Sequence, residues 1–96
     1  MQLKQAKKIL NQHKNELEEF GVLTLALFGS VARGEGNAQS DVDILIDFDS
    51  KKGMFVFVDL KYYLESLLKC EVDLVTKNAL HPALKKKILR EAKDVF

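Results

Sequence analysis

The apolar positions of the first twenty residues recur at steps of three and four, with lysines and glutamates between them. That period is the one of a single helix face, so the pattern predicts an amphipathic helix over residues 3–20. His13 falls on the apolar stripe and is expected to be a half-buried helix residue. Gly21 suits the C-terminal end of the helix. The nearly all-apolar run Val22–Phe28, bounded by glycine on both sides, predicts a buried strand.

Residues 29–39 are polar and contain three glycines, which predicts a turn and a loop with room for one short helical turn. Residues 41–48 then alternate with the two-residue period of a strand. One face of this strand carries Val42, Ile44, Ile46 and Phe48. The other face carries Asp41, Asp43, Leu45 and Asp47. We expect the first, fully apolar face to pack on the core.

The second half of the chain predicts a turn over residues 49–53, a helix over 55–68, a strand over 71–76 and a last helix over 82–92. In the third strand Asp73 lies on the face opposite Val72 and Leu74. Pro82 favours the first position of the last helix, with Asn78 or His81 as its cap. This order of elements predicts an α+β or α/β unit in which helices pack on a small sheet.

Length and composition narrow the class of protein. The 96 residues suffice for one domain, residues 1–96, and 47% hydrophobic with 30% charged residues is ordinary for a folded protein. The net charge of +1 gives no global reason to expect nucleic acid or an acidic membrane as the main partner. Cys70 has no cysteine to pair with, and no apolar run approaches the roughly 20 residues of a membrane span. We therefore expect a cytoplasmic protein.

Two aspartates carry the first chemical signal. Asp41 and Asp43 are two apart on a predicted strand, so their carboxylates emerge on one face about 6.5–7 Å apart along the backbone. Hard oxygen ligands at this spacing suit Mg²⁺, which commonly binds one or two carboxylates together with substrate phosphates. Without a cation the pair is repulsive. Taken alone, the two aspartates could instead lie on a strand face that simply points to water and binds no cation.

The turn after the first strand adds a candidate phosphate site. Gly29 lets backbone N–H groups approach a phosphate, Ser30 offers a hydroxyl, and Arg33 can make a charge-assisted hydrogen bond to phosphate oxygens. The turn is not a P-loop, because Glu35 and Gly36 stand where that motif requires Lys and then Ser or Thr. A phosphate at this turn would lie beside the two carboxylates, a combination that suits a bound Mg²⁺.

These motifs together resemble a known signature. Gly29-Ser30, then Ala32-Arg33-Gly34, then Ser40-Asp41-x-Asp43 is similar to the signature of the DNA polymerase beta-like nucleotidyltransferase superfamily, and most similar to its minimal nucleotidyltransferase branch. The segment Val72–Thr76 resembles the third-carboxylate strand of that branch, so the resemblance covers most of the chain. It implies a small mixed sheet with helices packed on one face and the active site on the exposed face.

The resemblance also implies roles for individual residues. Asp41, Asp43 and Asp73 would be the catalytic carboxylates and the ligands of Mg²⁺, with two ions expected. The nucleotide phosphates would be bound by Gly29, Ser30, Arg33 and Ser40. The acceptor is expected to be brought by a partner, because no residues remain for a second substrate-binding domain.

In the minimal nucleotidyltransferase branch, the resemblance implies an antitoxin that transfers AMP from ATP to a tyrosine hydroxyl of a helical HEPN toxin. Two alternatives stay open: a non-catalytic antitoxin that neutralises its toxin by occlusion, and a transferase acting on a small molecule such as an aminoglycoside. The basic cluster of the last helix is expected to be a solvated face, so direct nucleic-acid binding is not expected. That cluster comprises Lys85, Lys86, Lys87 and Arg90.

Overall fold

Four strands form one mixed sheet in the computed structural model, which describes residues 1–35 and 41–96. The strands are β1 Val22–Phe28, β2 Val42–Phe48, β3 Val72–Thr76 and β4 Lys93–Asp94. Their order across the sheet is β3-β2-β1-β4. β1 pairs antiparallel with both β2 and β4, whereas β2 and β3 are parallel. The parallel pair is joined by a helix, as parallel neighbours require.

The helices are α1 Leu3–Gln12, α2 Lys14–Phe20, α3 Gly29–Ala32, α4 Gly53–Leu68 and α5 Pro82–Glu91, with single 3₁₀ turns at Ser50–Lys52 and Lys77–Ala79. α1, α2 and α4 contact one another or the sheet and enclose the main core. That core combines one face of the sheet with the inward stripes of the helices, including Leu10, Leu17, Ile44, Leu60 and Leu64. The predicted fold, a small mixed sheet with packed helices, is confirmed.

The helix predicted over residues 3–20 is divided in two at His13. The His13 backbone N–H donates to the carbonyl of Leu10 (3.2 Å), while its ring nitrogen Nδ1 lies 2.8 Å from the carbonyl oxygen of Ile9. The His13 side chain thus contacts the Ile9 carbonyl, which in an unbroken helix would accept the hydrogen bond of the His13 backbone N–H. His13 is half-buried, as predicted. Gly21 ends α2 in the left-handed conformation, with φ of +105°.

The aspartate-bearing face of β2 is more covered than the alternating pattern indicated. Leu45 shares that face with Asp43 yet is fully buried, and so is Ala26, its partner on β1. The expectation that only the Val42 and Ile44 face packs inward was therefore incomplete. The carboxylates stand at one end of a face whose middle is apolar and closed to water.

The C-terminal segment crosses from the β3 edge to the opposite edge of the sheet. α5 is capped by His81, whose Nδ1 accepts a hydrogen bond from the Ala83 N–H (3.1 Å), so His81 and not Asn78 is the cap. No residue of α5 is buried. The short strand β4, which follows α5 and pairs with β1, was not predicted. Within the described residues, no helix combines the length and the apolar character that a bilayer span requires.

Candidate active site

Two aspartates stand side by side on neighbouring parallel strands. Asp43 on β2 is in register with Asp73 on β3, so both carboxylates project from the same face of the sheet. Asp41 directly precedes β2, and the Val42 N–H donates to the carbonyl of Glu71 (3.0 Å), which extends the pairing to this end. Asp41 and Asp73 are exposed and Asp43 is half-buried. The fold thus brings together the three carboxylates singled out in the sequence.

Gly29 lies against this acidic group. It follows β1 immediately, and its neighbour Phe28 is in register with Asp43. Its φ of +70° is in the left-handed region, and the volume that a Cβ atom would fill at this position is occupied by the carboxylate of Asp43. Only glycine allows both the backbone conformation and the close approach. The turn that was predicted to receive phosphates therefore touches the carboxylates.

The electrostatics of Asp43 reflect this crowding. Burial raises the pKa of Asp43 most, the negative charges of Asp73 and Asp41 raise it further, and Arg33 opposes them. A side-chain hydrogen bond with Asp73 also raises the pKa of Asp43, because it stabilises the protonated carboxyl. A bound cation would offset the repulsion between Asp43 and its acidic neighbours, which is part of the reason that the pKa of Asp43 is raised.

Arg33 has two carboxylate partners. Its Nε donates to Glu35 Oε2 (3.0 Å), and its Nη1 donates to Glu91 Oε1 (3.3 Å) at the end of α5. The hydrogen bond to Glu35 is the main reason that the pKa of Arg33 is raised. Glu91 was not anticipated, because it lies 58 residues from Arg33 and no local pattern connects the two. These two hydrogen bonds use Nε and Nη1, and a guanidinium has five N–H donors, so the group retains donors for a further acceptor.

The rest of the predicted phosphate site is a tight turn. The Arg33 N–H donates to the Gly29 carbonyl (3.1 Å), and the Glu35 N–H donates to the Ser30 carbonyl (2.8 Å). These bonds fold residues 29–35 back on themselves, and Ser30 is half-buried at the start of α3. Ser40, the remaining predicted phosphate ligand, lies outside the described residues.

A cleft of about 350 Å³ opens beside the carboxylates, between β3 and α4. Its lining residues are Asp41, Lys61, Glu65, Glu71, Val72 and Asp73. Glu65 accepts a hydrogen bond from the Val72 N–H (3.1 Å), which ties α4 to the start of β3. Sequence reasoning missed Lys61 and Glu65, since only the packing of α4 on β3 brings them here. The position of Glu71 could have been inferred from the sequence, because Glu71 is two residues before Asp73 and therefore lies on the same face of the strand.

The carboxylate oxygens of this site are donors of the chemical kind that a magnesium ion prefers. Across residues 1–35 and 41–96, no group of three or more Asp, Glu, His or Cys side chains is arranged so that it could hold a metal ion. Mg²⁺ does not need such a group, since it is usually held by one or two carboxylates together with waters and substrate phosphates. Asp41, Asp43 and Asp73 provide hard oxygen donors of that kind beside the turn that is predicted to bind phosphate.

Comparison with known proteins places the chain in a family. Residues 6–95 match the family model described as a nucleotidyltransferase domain. The chain is 47% identical over 90 residues to the protein adenylyltransferase MntA of Thermococcus cleftensis, covering 93% of this chain and 91% of that relative. It is therefore similar to this relative over nearly the whole length of both.

Solved structures agree with this similarity. A provisionally assigned minimal nucleotidyltransferase is 34% identical, with a TM-score of 0.85 that covers 97% of this chain and 95% of that one. An MNT antitoxin in complex with a tri-AMPylated Shewanella oneidensis HEPN toxin gives a TM-score of 0.67 at 19% identity, covering 94% of this chain and 71% of the other, and so shows the shared fold alone. The chain belongs to the nucleotidyltransferase domain family, in its minimal nucleotidyltransferase branch, and is an enzyme of the nucleotidyltransferase class.

Proposed function

We propose that this chain is an antitoxin that transfers AMP from ATP to a tyrosine hydroxyl of a HEPN-family toxin, in a reaction that depends on Mg²⁺. The single observation that carries the proposal is the juxtaposition of Asp43, Asp73 and Gly29 at one end of the sheet. Two further findings support it. A relative with 47% identity is named a protein adenylyltransferase, and a protein of the same fold occurs in complex with an AMPylated HEPN toxin.

The proposed reaction is attack by the acceptor oxygen on the α-phosphorus of ATP. A new P–O bond forms to the acceptor, the bond to the pyrophosphate oxygen breaks, and the acceptor proton leaves. Asp41, Asp43 and Asp73 would hold the Mg²⁺, which supplies neutralisation of the charge on the phosphates. Asp73, which is exposed at the edge of the cleft, would accept the acceptor proton or hold the ion that activates the acceptor.

The remaining residues position the nucleotide. Backbone groups at Gly29 and the hydroxyl of Ser30 would contact the phosphates. Arg33 would pair with phosphate oxygens, and loss of its contact with Glu91 or Glu35 would cost little because exposed ion pairs contribute little to stability. Most of the catalysis would then come from positioning and charge neutralisation, since phosphoryl transfer asks for little covalent chemistry from the protein.

The test is transfer of label from α-labelled ATP to the HEPN-family partner with and without Mg²⁺. We expect labelled partner with the native chain, a loss of at least about a hundredfold in the Asp41→Asn/Asp43→Asn variant, and no label when Mg²⁺ is chelated. Glu18→Gln/Glu19→Gln, which removes two exposed carboxylates from α2, is the matched control. No label with the native chain, together with full toxin inhibition by the Asp41→Asn/Asp43→Asn variant, would instead establish neutralisation by occlusion.

A further inference from the structure

The outer face of α4 carries an exposed apolar stripe. Met54, Phe55, Val58 and Tyr62 are 73%, 89%, 39% and 65% exposed, respectively, and we call these four residues the α4 stripe. Positions 54, 58 and 62 are four apart and therefore lie on one side of the helix. Isolated exposed apolar residues are ordinary, but a contiguous row of large ones marks a contact surface. The opposite side of α4, with Leu60, Leu64 and Leu68, already packs on the core.

An apolar groove of about 550 Å³ adjoins the stripe, between the start of α4 and the end of β3. Its walls include Phe57 of α4 with Leu74 and Thr76 of β3. Met54 belongs to both the stripe and the groove, so the two form one continuous surface. The groove has room for a large apolar side chain.

The same flank of the molecule ends at the acidic cleft. Lys61 and Glu65, further along α4, line that cleft together with Asp73 at the start of β3. Glu65 is eleven positions after Met54, which corresponds to about 16 Å along the helix. A ligand that lies along α4 and β3 would therefore reach from the groove to the cleft that Asp41 and Asp73 line. β3 is an edge strand of the described sheet, so β2 is its only strand neighbour there.

Charged residues around the stripe favour a partner with acidic side chains. Lys51 precedes the stripe, Lys61 lies beside its last member and Lys69 follows α4, and all three are exposed. Asp59 is an exposed acidic residue on the same helix. The surroundings of the stripe are thus mainly basic.

We propose that this flank of α4 and β3 docks the protein substrate. The bound element is an amphipathic helix of that substrate, whose apolar residues cover the α4 stripe and whose acidic residues face Lys51 and Lys61. One apolar side chain enters the groove, and the acceptor hydroxyl reaches the cleft beside Asp73. The nucleotide occupies the other side of the carboxylates, at Gly29. The inference rests on the proposed function, since it concerns the acceptor of that reaction.

The test compares Met54→Ser/Val58→Ser with Leu84→Ser/Leu89→Ser. The control pair removes two aliphatic side chains of similar exposure, 54% and 44%, from α5. With a HEPN-family protein from the same genome as substrate, we expect the stripe variant to lower kcat/KM for transfer at least about tenfold and to weaken binding of the substrate equally. The dissociation constant of ATP and Mg²⁺ should stay within about twofold of the native value, and the α5 variant should behave as the native chain.

Binding of the HEPN-family protein, measured by calorimetry, is read separately from transfer. If the native chain binds that protein without labelling it, the proposed transfer fails, whereas weaker binding by the stripe variant still supports the docking surface. Equal binding and equal transfer by native chain and stripe variant would overturn the docking surface alone. A dimer of the native chain in ultracentrifugation that the stripe variant loses, with unchanged substrate binding, would assign the stripe to a second copy and also overturn it.

Discussion

The carboxylate of Asp43 lies directly against the backbone of Gly29, in the volume that a side chain at position 29 would occupy. Gly29 belongs to the turn after β1, and Asp43 to the neighbouring strand β2. The turn that is predicted to bind phosphate therefore adjoins the acidic group. Changes at Gly29 should act through Asp43.

Gly29→Ala should lower the rate of nucleotidyl transfer by about a hundredfold, since a displacement of about 1 Å at a reacting group can have that effect. The alanine also adopts φ near +70° at a cost of about 1–2 kcal/mol in the free energy of unfolding. Gly34→Ala is the matched control, because its φ is +77° and no atom lies within 4 Å of the added Cβ. Equal loss of rate in both variants, measured with labelled ATP, would show that backbone strain alone is responsible.

Asp43→Asn should stabilise the chain at pH 7 in the absence of divalent cations. Because the folded pKa of Asp43 is raised above its ordinary value of 3.8, the folded state holds the proton more tightly than the unfolded state. The resulting stability is present below pH 3.8 and is lost as pH rises through the raised value. The variant should therefore melt on the order of a few degrees higher at pH 7 and no higher at pH 3.

Thermal melts in a chelator between pH 3 and 8 check this expectation. Mg²⁺ should reverse the order, because in the proposed function it would bind the native carboxylates and stabilise only the folded state. Glu18→Gln, which removes an exposed carboxylate from α2, should change neither the melting temperature without Mg²⁺ nor the response of the melting temperature to Mg²⁺. A native chain that is more stable than Asp43→Asn at pH 7 without Mg²⁺ would contradict the repulsion inferred from the pKa.

Glu91→Gln should strengthen ATP binding by up to about fivefold, because Glu91 competes with phosphate for the Arg33 guanidinium. Arg33→Gln should weaken ATP binding by about tenfold or more, since a charge-assisted hydrogen bond is lost. In the Arg33→Gln background the Glu91 substitution should have no effect. Calorimetric titration of the four proteins forms a double-mutant cycle, and additive changes would show that the two residues do not interact.

Leu45→Ala should lower the free energy of unfolding by about 2–5 kcal/mol, as is usual for a fully buried leucine. The alternating pattern assigned Leu45 to the aspartate face, where an exposed position would tolerate alanine with a change of about 0.5 kcal/mol or less. Leu23→Ala, at a leucine that is 59% exposed on β1, provides that reference. Urea denaturation of both variants distinguishes a covered face from a solvated one.

The pattern of the sequence was sufficient for most of the architecture. Several local patterns each predicted one element. The two-residue period predicted β2, the helical period predicted α4, and the flanking glycines marked the ends of β1. The aspartates at positions 41 and 43 could be assigned to one face for the same reason, because the pleat of a strand fixes the relation of residues two apart. The combined motifs resemble those of nucleotidyltransferases and therefore predicted the family of the chain. The comparisons confirmed that family.

Tertiary structure decided what no local period encodes. The two-residue strand β4 exists because the edge of β1 is available to pair with it, and Glu91 meets Arg33 because α5 ends there. The burial of Leu45 and the presence of Lys61 and Asp73 in one cleft likewise depend on packing between distant elements. Periodicity tells which side of an element a residue occupies, whereas the neighbour on that side is set by how the whole chain buries its apolar surface.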